Sequence, residues 1–463
     1  MADLPHFDRK MSDAEGLMWR LEKDPHLSST FANVTILDRP PDFDRLLHRL
    51  DRATYAVPRL RQRVQSAPFN LTAPMWVDDA NFDLRYHVRH MALPQPGSMR
   101  QLLDLASLIA CDAYDRTRPL WQFVIVDGLS GNKSALIQKL HHTIVDGEGG
   151  VQLSLQFLDF EREAADPPAI DPELIAAAQA AADLEGPPPD LLRELLGGSL
   201  RLPLGLLKQI RDLLGDPAGI SVAGSAAADT IRSVMQQLSD TEAARSPLWK
   251  RRSLQRRMEV LRAPFGETKH AAKRLGGTLN TAFLAAAAEA AGRYHRELDA
   301  PVDELRSSMA ISTRTDSSGA NAFSLARMLV PTGEMPIEER FLAIQAAAAA
   351  AKEASATASL ETLAAVASAL PTSLITRLAR QQAQTVDFAT SNVRASPVPL
   401  FMAGAELLEN YPVGPLAGVA FNLTLLSYNH SLDMGVNIDT AAVTEPDRLR
   451  DCLQRAFDDL AAA

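Results

Sequence analysis

Residues 161 to 245 break the sequence into two parts. This stretch is rich in Ala, Pro and Gly and is punctuated by Pro187-Pro188-Pro189, Gly197-Gly198 and Pro217, whereas the sequence on either side alternates strand-like and helix-like patterns. A chain of 463 residues exceeds what one hydrophobic core usually serves. The expectation is therefore an α/β protein (α+β layers) with two domains, 1–160 and 246–463, joined by a crossover over 161–245. In the first part, apolar spacing predicts helices over Asp42–Thr54 and Met99–Tyr114 and strands over Trp121–Val126 and Ser134–Leu140. In the second, it predicts helices over Thr278–Leu298, Phe341–Ala356 and Ser373–Gln384. Strands are expected at Ser307–Ser312, Val386–Ser391, Val419–Tyr428 and Leu432–Ile438. Within the crossover, Asp190–Leu214 forms two short amphipathic pieces broken at Pro203, which either touch lipid or pack on a domain. Asp190, Glu194, Asp212 and Asp216 cancel the basic charges there and favour packing.

Composition narrows the function classes. Hydrophobic residues make up 46% and charged residues 22%, the values of a folded globular protein. A net charge of -10 and a pI near 5.5 argue against nucleic acid as a partner, although Lys250, Arg251, Arg252, Arg256 and Arg257 form a local basic run. Cys111 and Cys452 are far apart in sequence, which points to neither a disulfide framework nor a zinc site and suits a reducing cytoplasm. The first residues carry charges where a signal peptide needs an apolar core, and no uncharged apolar run of about 18 residues occurs. The expected location is cytoplasmic, with peripheral attachment at the inner membrane or at lipid inclusions left open.

The chemistry concentrates in Leu136-Ile137-Gln138-Lys139-Leu140-His141-His142-Thr143-Ile144-Val145-Asp146-Gly147, an apolar strand that runs into two adjacent histidines. Successive side chains of a strand point to opposite faces, so the two histidines cannot share a role: one is expected to be catalytic and the other supportive, a purely structural pair at a strand end being the alternative. An imidazole titrates near neutrality and can take a proton from a hydroxyl when a neighbour fixes its ring. Asp146 can organise the turn through an ion pair or backbone hydrogen bonds, and Gly147 permits either a close approach or a positive φ. A metal held by His142 and Asp146 would need this stretch to be helical, which the β-branched Thr143-Ile144-Val145 run opposes.

His-His-x-x-x-Asp-Gly is the signature of the chloramphenicol-acetyltransferase-like superfamily. Further segments resemble the bacterial wax ester synthase/diacylglycerol acyltransferase family in particular. These are Met11-Ser12-Asp13-Ala14-Glu15-Gly16-Leu17, Arg118-Pro119-Leu120-Trp121, Gly276-Gly277-Thr278-Leu279-Asn280, Ser391-Asn392-Val393, Pro399–Ala405 and Gly418–Leu432. The sequence departs from the family pattern at Thr281, where an Asp is usual, and at Arg394-Ala395-Ser396, where Val-Pro-Gly-Pro is usual. The resemblance implies two chloramphenicol-acetyltransferase-like domains with a tunnel at their interface. It implies His142 as general base, His141 as its support, Asp146 as a structural or orienting residue and Gly147 beside it. Trp121 either packs a strand start or contacts substrate, and Asn280 either caps or packs a helix or serves substrate or an oxyanion. Arg314 is expected to pair with Asp146.

The resemblance also implies the reaction: transfer of an acyl group from acyl-CoA to diacylglycerol or a long-chain alcohol, with no metal and no cofactor. Acyl-CoA and a lipid alcohol are then the partners. Alternatives that keep the base are a carrier-protein-bound donor or another hydroxyl acceptor; a non-catalytic lipid-surface protein is the alternative from a different class.

Overall fold

A computed structural model describes residues 9–66, 73–166, 244–312, 323–357, 364 and 372–463. Arg314 and Asp190–Leu214 lie outside the described residues. The first half supplies β1 (Thr30–Leu37), β2 (Gln62–Gln65), β3 (Met75–Asp78), β4 (Val88–Ala92), β5 (Trp121–Leu129) and β6 (Lys133–His141). Its helices are α1 (Asp13–Leu21), α2 (Phe43–Ala56), α3 (Leu84–His87), α4 (Met99–Cys111) and α5 (Gly147–Ser154). The second half supplies β7 (Arg256–Pro264), β8 (Glu304–Ser312), β9 (Phe323–Pro331), β10 (Phe388–Arg394), β11 (Phe401–Met402), β12 (Ala405–Val413), β13 (Phe421–Tyr428) and β14 (Ser431–Asp439). With them come α6 (Phe265–Arg274), α7 (Leu279–Glu297), α8 (Ile337–Thr357), α9 (Thr372–Ala383) and α10 (Pro446–Ala462).

Two six-stranded sheets form the mixed α/β layers that the alternation predicts, in the orders β11-β12-β1-β6-β5-β4 and β7-β14-β13-β10-β8-β9. Local chemistry sets the element ends. Asp42 caps α2 by accepting from the Arg45 N–H at 3.0 Å, and Ser98 and Gln101 form a capping box on α4. The helix expected to reach Tyr114 stops at Cys111, because the backbone of Asp112 turns to an extended ψ of 136°. The strand expected from Val386 starts at Phe388, since the N–H groups of Thr385 and Val386 still bond back to Gln382 and Ala383 at the end of α9.

The sheets are covered asymmetrically. One face of the first sheet packs Val34, Val124 and Ile137 against Leu102, Leu103 and Ala106 of α4. The opposite face meets Leu46, Leu47 and Leu50 of α2. The second sheet buries Leu423, Leu425 and Val436 against the alanine-rich α7 and against Leu449, Leu453 and Phe457 of α10.

Division by chain order does not describe residues 401–413. They lie in the stretch expected to form the second domain, but β12 runs antiparallel to β1 from Ala32↔Val413 to Leu37↔Leu407 and so belongs to the first sheet. Without it β1 would present an unpaired edge. The strand is tied to the second sheet as well. The Asn410 N–H donates to the buried Asp433 carboxylate at 2.8 Å, which also accepts from Ser431 Oγ at 2.7 Å and Arg262 Nε at 2.8 Å. Burial raises the pKa of Asp433 above the ordinary carboxylate range despite these bonds.

Close backbone contact at this crossing requires Gly435, where a Cβ would lie 2.1 Å from the Pro412 carbonyl oxygen. Gly435→Ala is expected to force β12 and β14 apart and to cost about 1–3 kcal/mol in stability, the usual range for overpacking. Denaturant unfolding checks this, and an unchanged midpoint would show that the two strands have slack.

Candidate active site

β6 is nearly all buried, as a central strand covered on both faces should be, and it delivers the two histidines at its end. Two backbone bonds fix them. The His141 N–H donates to Leu120 O at 3.1 Å, and the His142 N–H donates to Ser29 O at 3.1 Å. The Pro119-Leu120-Trp121 element thus acts on the site through the carbonyl of Leu120.

His141 is fully buried. Its Nδ1 accepts from the Thr143 N–H at 3.1 Å, which assigns the ring proton of the neutral imidazole to Nε2, 3.0 Å from Glu22 Oε2. Glu22 also accepts from Ser28 Oγ at 2.7 Å and from the Ser29 N–H at 2.8 Å. Burial works to raise the Glu22 pKa, but the hydrogen bond from His141 and its electrostatic attraction, with the Ser28 and Ser29 donors, outweigh it and bring it below its ordinary value. Behind His141 the same strand face carries Lys139, itself buried. Its Nζ donates to Asp112 O at 2.5 Å and lies 4.4 Å above the ring of Tyr114, which stands 6.2 Å edge-on to His141. Burial lowers the Lys139 pKa to about 8.

His142 faces the other way. The residue is partly exposed, with its Nδ1 buried, and its ring tilts against Phe31 at 4.7 Å. Burial among neighbours lowers its pKa to about 4, any positive charge on His141 adds to this, and the carboxylates of Asp146 and Glu22 oppose it. At neutral pH the imidazole is therefore uncharged and able to accept a proton.

Residues 142–144 form a turn and 145–146 are irregular, not helical, so the i, i+4 arrangement needed for a His142–Asp146 metal pair does not arise. Asp146 is instead the N-cap of α5, its carboxylate accepting from the Gly149 N–H at 2.8 Å. Of the two roles open to Gly147, close approach is the one found. A Cβ there would sit 2.9 Å from Val393 Cγ2, and its φ is not positive. Gly147 thereby joins the His142 loop to the Ser391-Asn392-Val393 segment of β10. Asn392, on the opposite face of that strand, hydrogen-bonds to the Asn280 side chain. Asn280 does not cap α7; Thr278 does, accepting from the Thr281 N–H at 3.3 Å, and the Thr281 hydroxyl lies 3.1 Å from that of Thr278. Of the two readings of Trp121, its placement fits the packed strand start. Its ring N–H donates to Leu60 O at 2.8 Å, and the ring is buried in a stack on His87. Glu22, Tyr114 and Lys139 escaped the reading of the sequence, although a lysine inside an apolar strand was a local signal for the last.

Comparison with known proteins gives the same assignment along the whole chain. The family described as wax ester synthase/diacylglycerol acyltransferase catalytic domain matches residues 11–283, and its C-terminal domain matches residues 319–461. This chain belongs to the wax ester synthase/diacylglycerol acyltransferase family. A Mycobacterium tuberculosis H37Rv protein, provisionally named a diacylglycerol O-acyltransferase, is 32% identical over 99% of this chain and 93% of its own length. Among solved structures, the wax ester synthase/diacylglycerol acyltransferase from Marinobacter aquaeolei VT8 superposes with a TM-score of 0.66 at 23% identity, covering 98% of this chain and all of that one. The first condensation domain of the calcium-dependent antibiotic synthetase superposes with a TM-score of 0.59 at 13% identity, covering 99% and 97% of the two chains. These structural likenesses establish the fold. Membership of the family makes the chain an acyltransferase.

The Glu22–His141 contact yields a test of how the pair is held. Glu22→Ala and His141→Ala should each destabilise the protein, and the double variant should recover about 1.5–3 kcal/mol relative to the sum of the singles, as for a hydrogen bond to a charged group. Strictly additive unfolding free energies would show that the contact holds nothing.

Proposed function

We propose that this protein is an acyl-CoA-dependent O-acyltransferase that forms triacylglycerol, wax esters or both, with His142 as its general base. The observation that carries this reading is the division of labour within the histidine pair. His141 is sealed and fixed by Glu22, while His142 is partly exposed, uncharged at neutral pH and placed on a loop that seats against the second half. In this reading residues 1–160 carry the base, residues 246–463 supply most of the facing wall, and 161–245 connect them.

His142 takes the proton of the lipid hydroxyl as the oxygen attacks the thioester carbonyl. The resulting imidazolium is stabilised by the carboxylates of Asp146 and Glu22, whose charges favour its protonated form. The tetrahedral intermediate collapses, the C–S bond breaks, and the proton on His142 passes to the departing CoA sulfur. A direct transfer of this kind places no acyl group on the protein. Entry of a narrow thioester arm is supported by the second sheet. β8 and β10 pair only from Ser307↔Phe388 to Met309↔Thr390, although both strands continue. The strands part beside Asn392, and a tunnel from there to His142 belongs to this reading.

The product is insoluble in water, which supports peripheral attachment at the inner membrane or at lipid inclusions. No helix among the described residues is long and apolar enough to cross a membrane. Flotation with phospholipid vesicles tests the attachment.

Release of CoA from palmitoyl-CoA in the presence of hexadecanol, a monoacylglycerol or a diacylglycerol tests the reaction. Activity confined to a carrier-protein-bound thioester would overturn the donor. His142→Ala should lower turnover by about 10²- to 10⁴-fold with the fold retained. Near-normal turnover in that variant would end the assignment of the base. The pH profile carries an independent sign. A base whose pKa has fallen to about 4 stays unprotonated well below the ordinary histidine range, so kcat/KM should hold level from neutrality to about pH 5 and fall only as pH 4 is approached. An acid limb centred near 6.5 would contradict it.

A further inference from the structure

The face of the first sheet that carries His142 passes from partly exposed to buried along β1. On β1, Phe31 and Asn33 are partly exposed, whereas Thr35 and Leu37, further along the same face, are buried. On β6, Leu136 is buried, and on β12, Asn410 is partly exposed. The other face of these central strands is packed against α4 and β7, so exposure of Asn33 and Asn410 requires an opening on the His142 side. Phe31, Asn33, Asn410 and His142 thus form a partly exposed strip that stops at Thr35 and Leu136, with Gln138 and Leu140 beside it buried. Its end is polar, in a molecule whose substrates are hydrocarbon chains.

The hydrogen bonds at that end leave a defined remainder. The Asn33 Nδ2 protons are directed at Thr35 Oγ1 (3.0 Å), Gln138 Oε1 (3.2 Å) and Asn410 Oδ1 (2.5 Å). Thr35 Oγ1 donates to Asn410 Oδ1 at 2.9 Å, and Gln138 Nε2 donates to Ser154 Oγ at 3.2 Å. Turning the Asn410 amide over by itself would set donors against donors, so the two amide orientations are tied to each other and leave one donor and one acceptor over. Asn33 Oδ1 and Asn410 Nδ2 then have no partner among the described residues: one acceptor and one donor, side by side. A hydroxyl is the group that satisfies both, donating to the first and accepting from the second. A methylene chain satisfies neither.

We propose that this strip is a chain pocket and that Asn33 and Asn410 form a hydroxyl-recognising site at its closed end, so that this enzyme prefers a lipid chain hydroxylated partway along its length. Asn33 pairs with Gln138, four residues before His142. At about 3.3 Å per strand residue the amides lie ~13 Å from the base. An extended chain advances by about 1.25 Å per carbon, given C–C bonds of about 1.5 Å, which puts the hydroxyl near the tenth to twelfth carbon. The hydroxyl can reside on the acyl donor or on the alcohol. The closed end argues against the pantetheine arm of CoA, which has to continue outward to its nucleotide.

The inference rests on His142 as the base, and the experiment separates the two. CoA release is measured for 12-hydroxystearoyl-CoA against stearoyl-CoA, each with hexadecanol, and for octadecane-1,12-diol against octadecan-1-ol, each with palmitoyl-CoA. The wild-type protein should favour the hydroxylated chain by about tenfold in kcat/KM in one of the two arms, the worth of one or two net hydrogen bonds. That arm identifies which substrate occupies the pocket. The preference should disappear in Asn410→Leu and in the nearly isosteric Asn410→Asp, which loses the donor, with melting temperatures confirming that both variants are folded. Equal use of plain and hydroxylated chains by the wild type in both arms overturns the proposal, as does a preference that survives in both variants. Turnover of the plain chains, and its loss in His142→Ala, reports on the base alone. A failed hydroxyl preference beside an intact His142 dependence therefore removes only this inference.

Discussion

Both halves of this protein depend on one strand that belongs to each of them. β12 completes the first sheet by pairing with β1, and its backbone is held by Asp433 of the second sheet. A carboxylate buried in that way is costly unless every lone pair is used, and here a hydroxyl, a guanidinium and a backbone N–H supply the bonds. The crossing sets the separation of the sheets. It also brings the Asn410 side chain onto the sheet face that carries His142.

The amino-acid sequence disclosed much of this and left out particular parts for physical reasons. Strand parity at residues 136–142 was legible because alternation is a local property, and the sealed and partly exposed faces follow it. Helices such as α2 and α7 were legible from their periodicity, within a few residues at their ends. The sheet that β12 joins was not legible, because a period of two marks a strand without naming its neighbours. Glu22 was equally silent: its partner is 119 residues away, and no spacing rule connects them. Gly147 left two readings, positive φ or close approach, and only the position of Val393 decides between them. Trp121 likewise left two readings, a packed strand start or a substrate contact, and only its buried stack on His87 separates them, while the Leu120 carbonyl beside it is what holds the histidine strand.

The two histidines show how neighbouring residues of one type acquire different chemistry. His141 is committed on both nitrogens, to Thr143 and to Glu22, and has no valence left for substrate. His142 is weakened as a base in its resting state because burial disfavours its charged form. A base with that property resists protonation in mildly acidic surroundings. The carboxylates nearby then act mainly on the state that matters, in which the ring has gained a proton. Lys139 and Tyr114 fill the space behind the pair and keep water from the sealed ring.

The contact between Gly147 and Val393 has a consequence for inheritance. The loop that carries the base is shaped by a side chain from the other half, and β12 is shared between the sheets. The two halves cannot therefore be treated as interchangeable modules. A chimera that joined the first half of this enzyme to the second half of a relative would inherit a mismatched seat for the loop, whichever residues it kept at the motif itself. Sequence change at position 393 is consequently constrained by position 147, although nothing in the linear sequence connects them.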